Sequence, residues 1–76
     1  MFKKLTELKS GDKAIIRSFE NQELSLKLME MGCIPGETIT VEQLAPFSDP
    51  ISVLVSGYIL SLRKNEAESI IVESLN

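Results

Sequence analysis

Alternating hydrophobic and polar positions run through much of the chain and predict short β-strands. Within residues 38–44, β-branched apolar residues alternate with polar ones, a period of two that indicates a strand with one buried face. On either side of Ser56-Gly57, residues 51, 53 and 55 alternate with Ser52 and Leu54, and residues 58, 60 and 62 alternate with Ile59 and Ser61. Two alternating runs around a two-residue turn that contains glycine predict a β-hairpin.

Two further segments also have the composition of strands. Residues 14–19 follow a cluster of turn-forming residues and contain two adjacent isoleucines, which is typical of a strand covered on both faces near its middle. A last short strand is predicted to start with residues 70–72. The residues that open the chain predict only a short extended segment before a turn. The pattern therefore predicts about five strands.

One segment predicts an α-helix, over residues 22–31. Asn21 is a good N-cap, no glycine or proline follows it within the segment, and Gly32 supplies a left-handed stop. Residues 64–68, which are polar apart from Ala67, predict one further helical turn. About five short strands cannot cover a flat sheet on both faces, so a mainly β fold is expected, a small and strongly bent barrel. Residues 1–76 are expected to form a single domain.

Charge and apolar run length limit the partners that this chain can have. Eight Lys and Arg residues face eleven Asp and Glu residues, and the cations are scattered, so nucleic acid and anionic membrane surfaces are poor partners. The longest apolar runs have three residues, far fewer than the roughly 20 needed to span a bilayer, so no direct membrane insertion is predicted. A single cysteine forms no disulfide within the chain. We expect a cytoplasmic protein.

Most catalytic chemistry is missing from the sequence. The chain has no histidine, which excludes the usual hydrolase triads, and its four glycines stand alone, so no phosphate-binding loop is present. Cys33 could serve as a lone thiolate ligand, but a small buried hydrophobic residue is the favoured interpretation because no second cysteine or histidine completes a site. Glu66 and Glu68 could hold a hard cation, although solvated charge is the usual state. No enzyme, cofactor or metal site is predicted.

The predicted helix has a second apolar face. At 100° per residue, Leu24, Leu28 and Met31 form one core stripe, whereas Leu26 and Met29 lie outside it. An external helix on a small barrel buries one face, so the Leu/Met pair is expected to be at least partly exposed and to be a protein-docking patch. The alternative is that the loop carrying Pro46 and Phe47 folds over the pair. The candidate partner-binding residues are Leu26, Lys27, Met29 and Phe47.

Three ordered segments resemble the FeoA family of ferrous iron transport proteins. They are GCIPG at residues 32–36, APFSDPI at 45–51 and GYILSLRKNEA at 57–67. Most residues of these segments are turn or core residues, and Asp49 and Arg63 are the polar exceptions. Asp49 is expected to accept backbone N–H bonds within its proline-flanked loop. Arg63 is expected to brace a loop carbonyl or carboxylate. Two residues depart from the family pattern: Lys27 stands where arginine is frequent, and Cys33 where an aliphatic residue is usual.

The resemblance implies an SH3-like β-barrel in the cytoplasm. It also implies that the protein acts together with FeoB, the membrane ferrous iron transporter, which carries a cytosolic GTP-binding domain. The chain would dock on the cytosolic part of that transporter. The resemblance does not imply catalysis, and a weak homo-oligomer is left open.

Two other functions compete with this one. The same barrel occurs as the C-terminal regulatory domain of iron-dependent transcriptional repressors, although no segment of this chain resembles a helix-turn-helix. Peptide-binding SH3 modules need a surface row of aromatic side chains. Three Phe, one Tyr and no Trp cannot supply both that row and a core.

Overall fold

The computed structural model describes residues 1–44 and 49–75, with the backbone alone for residues 43 and 44. In these residues it contains six β-strands, two α-helices and one 3₁₀ turn. In chain order they are β1 (Phe2–Lys4), the 3₁₀ turn (Leu5–Glu7), β2 (Lys13–Phe19), α1 (Gln22–Glu30), β3 (Thr38–Leu44), β4 (Ile51–Val55), β5 (Tyr58–Leu62), α2 (Lys64–Glu68) and β6 (Ile70–Ser74).

The strands form one antiparallel sheet in the order β1-β6-β2-β3-β4-β5. β1 and β5 are therefore its two edges. β1 runs directly into the 3₁₀ turn, β5 is followed by α2, and these two helical segments contact each other. The bent sheet is thus closed by helical packing between the continuations of its edge strands.

Two bulges help to bend the sheet. The pairing of β2 with β6 shifts between Ile16 and Ser18, and that of β3 with β4 shifts between Val41 and Gln43. An extra residue in one strand increases the local twist. Both bulges lie in the seven-residue strands, each of which pairs with two neighbours, so the curvature is set in the middle of the sheet.

The core lies inside the curved sheet and is apolar. Its members are the inward residues of the strands together with Leu28 of α1, residues of the 3₁₀ turn and the α2 region. They are Leu5, Leu8, Ala14, Ile16, Leu28, Cys33, Ile39, Val41, Ile51, Val53, Val55, Leu62, Ala67, Ile70 and Val72. The predicted alternation of β3 and β4 is confirmed for the described side chains: Ile39, Val41, Ile51, Val53 and Val55 are buried, and the residues between them are not.

The predicted hairpin is confirmed. Val55 pairs with Tyr58 across a two-residue turn, with φ of 53° at Ser56 and 81° at Gly57. Positive φ at both central residues is the type I′ geometry that matches the twist of the flanking strands. Beyond the turn, Tyr58 is 72% exposed and Ile59 is 67% exposed. The tip of the hairpin therefore carries apolar side chains into solvent.

Helix α1 begins as predicted and ends one residue earlier. The Asn21 side-chain oxygen accepts hydrogen bonds from the N–H groups of Glu23 (2.9 Å) and Leu24 (3.3 Å). Met31 is the C-cap, and Gly32 follows with φ of 108°, the left-handed conformation expected at this stop. The predicted helical turn over 64–68 is α2.

The structure has one strand more than the sequence pattern predicts. The extra strand is β1, which pairs with β6 from Phe2↔Glu73 to Lys4↔Ile71. Three residues are too few to show a period of two, so the pairing comes from the available edge of β6. The last strand, predicted to start with residues 70–72, is β6, which runs from Ile70 to Ser74.

We expect Asn21→Ala to lower the free energy of unfolding by about 1 kcal/mol, because two N–H groups of the first helical turn lose their acceptor. Urea denaturation followed by circular dichroism measures the change. The matched control is Gln22→Ala, at an exposed neighbouring position, which should change stability by less than about 0.5 kcal/mol. Equal effects of the two substitutions would contradict a capping role for Asn21.

Candidate docking site on helix α1

The two faces of α1 differ as the helical projection predicts. Leu28 is buried, and Leu24 and Met31 are partly buried against the core. On the outer side, Leu26 is 64% exposed and Met29 is 37% exposed. Their exposure is confirmed, whereas their role in binding a partner stays a prediction.

Phe47, the fourth candidate partner-binding residue, lies outside the described residues. Both its proposed contact with a partner and the alternative, in which its loop covers Leu26 and Met29, remain predictions.

Lys27 links the exposed face of α1 to α2. Its Nζ lies 2.7 Å from Oε2 of Glu66, and the Lys27 side chain is 60% exposed while that of Glu66 is 6% exposed. The other carboxylate oxygen, Oε1, accepts the backbone N–H of Arg63 at 2.8 Å. Both oxygens of a buried carboxylate are therefore satisfied, which offsets the cost of removing the charge from water.

The expectation that Glu66 and Glu68 are both solvated is wrong for Glu66. Glu68 is exposed, whereas Glu66 lies under α1 in contact with the Lys27 ammonium. The sequence held one signal that could have found this: Glu66 stands three residues after Arg63, the spacing at which a side chain returns to the N-cap N–H of a helix. Arginine has no acceptor, so only that half of a capping box forms.

A groove of about 590 Å³ lies beside this ion pair, between α1, α2 and the end of β5. Its lining residues are Lys27, Met31, Asp49, Pro50, Ser61, Arg63 and Glu66. Because two cations and two anions line the same groove, it favours a partner that presents mixed polar groups over a purely apolar ligand.

Asp49 helps to hold the beginning of α2. Its Oδ1 accepts the backbone N–H of Lys64 at 3.1 Å, so the donor lies in α2 and not in the proline-flanked loop for which the acceptor role was predicted. Asp49 and Glu66 thus both place negative charge where a helix has unpaired N–H groups. The Arg63 side chain is exposed and makes no hydrogen bond or ion pair within residues 1–44 and 49–75, so the predicted bracing contact is not found there.

The surroundings of Glu66 and Cys33 shift their proton affinities in opposite directions. The hydrogen bond from Lys27 and the backbone N–H of Arg63 lower the pKa of Glu66, although burial opposes them. Burial raises the pKa of the Cys33 thiol to about 11, and the nearby Glu66 charge adds to the increase. Cys33 is fully buried and protonated at neutral pH, which confirms its prediction as a core residue.

No metal site is formed by the described part of the chain: it contains no group of three or more His, Cys, Asp or Glu side chains placed to hold an ion. None of the helices in that part is both long and apolar enough to cross a bilayer.

Residues 3–74 match the FeoA domain family. The chain belongs to the FeoA family. A curated relative is the Fe(2+) transport protein A/Fe(2+) transporter FeoB fusion protein of Porphyromonas gingivalis, 40% identical over 74 residues. The match covers 96% of this chain and 9% of the relative, so the chain spans about a tenth of that protein's length.

Solved structures agree on the fold. An NMR structure of a FeoA-like protein from Clostridium acetobutylicum has 37% identity and a TM-score of 0.91, covering 99% of this chain and 88% of the other. The zinc complex of Stenotrophomonas maltophilia FeoA, a prokaryotic SH3 domain protein, has 27% identity, a TM-score of 0.78 and coverage of 96% and 89%. T. acidophilum IdeR has 27% identity and a TM-score of 0.83, over 96% of this chain and 34% of that one. The predicted SH3-like fold is confirmed.

We expect Lys27→Met to lower the free energy of unfolding by about 1–2 kcal/mol, because a buried carboxylate loses its charged donor. Lys4→Met is the matched control, since Lys4 pairs with an exposed Glu20 at 3.5 Å; it should cost no more than about 0.5 kcal/mol. Chemical denaturation measures both. Similar losses in the two variants would show that the Lys27 pair is an ordinary surface contact.

The same pair predicts a dependence on pH. Because the pKa of Glu66 is lower in the folded state, its stabilisation is present above the ordinary value of about 4.3 and is lost as pH falls through the folded value. The difference in unfolding free energy between the wild type and Glu66→Gln should therefore shrink on acidification below about pH 5. A difference that stays constant or grows would contradict this assignment.

Cys33 should be unreactive in the folded protein. At pH 8 a thiol with a pKa of about 11 is almost entirely protonated and is also buried, so alkylation should be far slower than in the urea-unfolded chain.

Cys33→Ala should cost about 1–2 kcal/mol of stability through lost packing. Stoichiometric binding of ferrous iron that the alanine variant loses would contradict a purely structural role.

Proposed function

We propose that this chain is a cytoplasmic accessory protein of ferrous iron uptake that docks on the cytosolic part of a FeoB-type transporter. Membership of the FeoA family supports the part of the proposal that concerns ferrous iron uptake. The fusion relative supports the partner, because in that protein the segment similar to this chain belongs to the same polypeptide as FeoB. Joining a domain to its target in one polypeptide raises the effective concentration of the domain at the target, and this strengthens a contact between the two.

The observation that carries the docking proposal is the exposed apolar pair on α1. Leu26 and Met29 lie on the side opposite the core stripe, on a helix whose start is fixed by Asn21. A rigid helix that presents leucine and methionine suits a protein surface, because methionine adapts its shape to the partner. Apolar burial supplies affinity at such a site.

Lys27 and Phe47 complete the proposed surface. Lys27 is fixed by Glu66 yet more than half exposed, so it can meet a carboxylate or backbone carbonyl at the rim of the interface. Phe47 is proposed as an aromatic anchor for the same partner.

We propose further that the chain has no catalytic activity of its own. The sequence has no histidine, the buried carboxylate of Glu66 is engaged by Lys27 and Arg63, and the Cys33 thiol is protonated and enclosed. Any change in GTP turnover would then occur in the partner. Purified chain should show no GTPase activity.

A regulatory domain of an iron-dependent repressor is the second candidate, favoured by the similarity to T. acidophilum IdeR. The two functions differ in what the chain must contact: a transporter in one case, the remainder of a DNA-binding protein in the other. Binding of the isolated chain to the transporter's cytosolic domain supports the first.

The docking proposal is tested by titrating the chain into the cytosolic domain of the transporter, with and without guanine nucleotide. Leu26→Lys and Met29→Lys should each weaken binding by about tenfold or more, because burying a new charge removes the apolar contribution. Phe2→Lys is the matched control, since Phe2 on β1 is 64% exposed, as is Leu26. It should bind as tightly as the wild type.

Folding must remain intact in these variants for the comparison to hold. A surface substitution should change the free energy of unfolding by no more than about 0.5 kcal/mol, which urea denaturation checks. If both α1 variants stay folded and bind like the wild type, the docking surface lies elsewhere. Binding that is equally weak for Phe2→Lys would exclude a site confined to α1.

A further inference from the structure

The two edges of the sheet differ in length and charge. β1 has three residues, two of them lysines, whereas β5 has five residues without a charge or a proline. Short length and charged side chains, lysine above all, are the usual means by which edge strands avoid pairing with other chains. β1 has both of these features and β5 has neither.

The hydrogen-bonding groups of β5 alternate between its neighbour and the open edge. The two-residue turn makes Val55 and Tyr58 a hydrogen-bonded pair, so Tyr58 and every second residue after it direct their backbone groups to β4. Ile59 and Ser61 direct their N–H and C=O groups away from the sheet. Within residues 1–44 and 49–75, no other backbone group bonds to them.

The side chains along this edge are suited to an interface. Ile59 is 67% exposed, and Leu60 packs against the core while still only partly buried. Ser61 lines the groove beside α1, so this end of the edge also faces open space. An added strand would cover apolar surface as well as satisfy backbone groups.

We propose that β5 pairs antiparallel with β5 of a second copy of this chain, centred on Leu60. In that register Ile59 of one copy and Ser61 of the other exchange backbone hydrogen bonds, and the arrangement repeats by two-fold symmetry. Leu60 of one copy lies opposite Leu60 of the other in a non-hydrogen-bonded pair, where side chains are closest.

Charge complementarity favours a second copy as the occupant. Arg63 and Lys64 follow one end of β5, and Glu37 lies at the other end, where its Oε1 accepts the Ser56 hydroxyl at 2.8 Å. At the end of β5 that precedes α2, Asp49 accepts the N–H of Lys64 and Glu66 pairs with Lys27, while the Arg63 side chain is exposed. An antiparallel copy reverses the strand, so Arg63 of each chain comes to the end at which Glu37 of its partner lies. The attraction occurs twice in the symmetric pair, whereas a parallel arrangement would place like charges together.

Sedimentation equilibrium of the full chain over a range of concentrations tests the pairing. The wild type should associate reversibly, and Ile59→Lys should raise the dimer dissociation constant by about tenfold, because symmetry repeats each lost contact. Phe2→Lys, which adds the same charge to the other edge, should associate like the wild type. A wild type that is monomeric at about 1 mM, or an effect of Phe2→Lys equal to that of Ile59→Lys, would overturn the proposal.

A mixing experiment tests the antiparallel register. Arg63→Glu alone and Glu37→Lys alone should each associate more weakly, because each homodimer contains two like-charge contacts. An equimolar mixture should recover association, because both contacts between the two variants then join opposite charges. Circular dichroism checks that each variant is folded. A mixture no better than either variant alone would overturn this register.

The pairing does not depend on the proposed transporter contact, and the variants separate the two. Ile59→Lys should still bind the transporter's cytosolic domain, and Leu26→Lys should still self-associate. Loss of transporter binding by Ile59→Lys would show that β5 pairs with the transporter, and would overturn the proposal that a second copy is its occupant.

Discussion

The carboxylate of Glu66 is the contact on which the arrangement of both helices depends. Its Oε1 accepts the N–H of Arg63 and so fixes the start of α2, while its Oε2 binds Lys27 and so holds α1 against the same corner. The continuations of the two edge strands pack against each other through the 3₁₀ turn and α2, so an interaction that locates α2 also helps to close the sheet. A charge inside a small core is stable here because each oxygen has a donor.

The surfaces available to partners follow from that closure. With one face of α1 committed to the core through Leu28, the opposite face carries Leu26 and Met29 into solvent. The same geometry leaves β5 as an uncharged edge, because α2 takes the chain away before another strand can pair with it.

Local periodicity explains what the sequence alone could predict. The β4–β5 hairpin and the two faces of α1 were predictable because spacing and turn chemistry act over a few residues. The strand β1 was not, since its pairing with β6 depends on residues from the far end of the chain. Burial of Glu66 was missed for the same reason: its partner Lys27 comes from another helix. The FeoA motif, by contrast, contains mostly turn and core residues, so it predicted the fold better than the site.

The pairing of β1 with β6 brings the two ends of the polypeptide together. Phe2 lies opposite Glu73, and the N–H of Ser74 points to the carbonyl of Met1 at 3.4 Å. A tether attached to either end would therefore leave from the same edge of the sheet, on β1 and β6, while β5 forms the opposite edge. A larger protein linked covalently to the domain, in either order, would therefore be attached at β1 and β6 and not at β5.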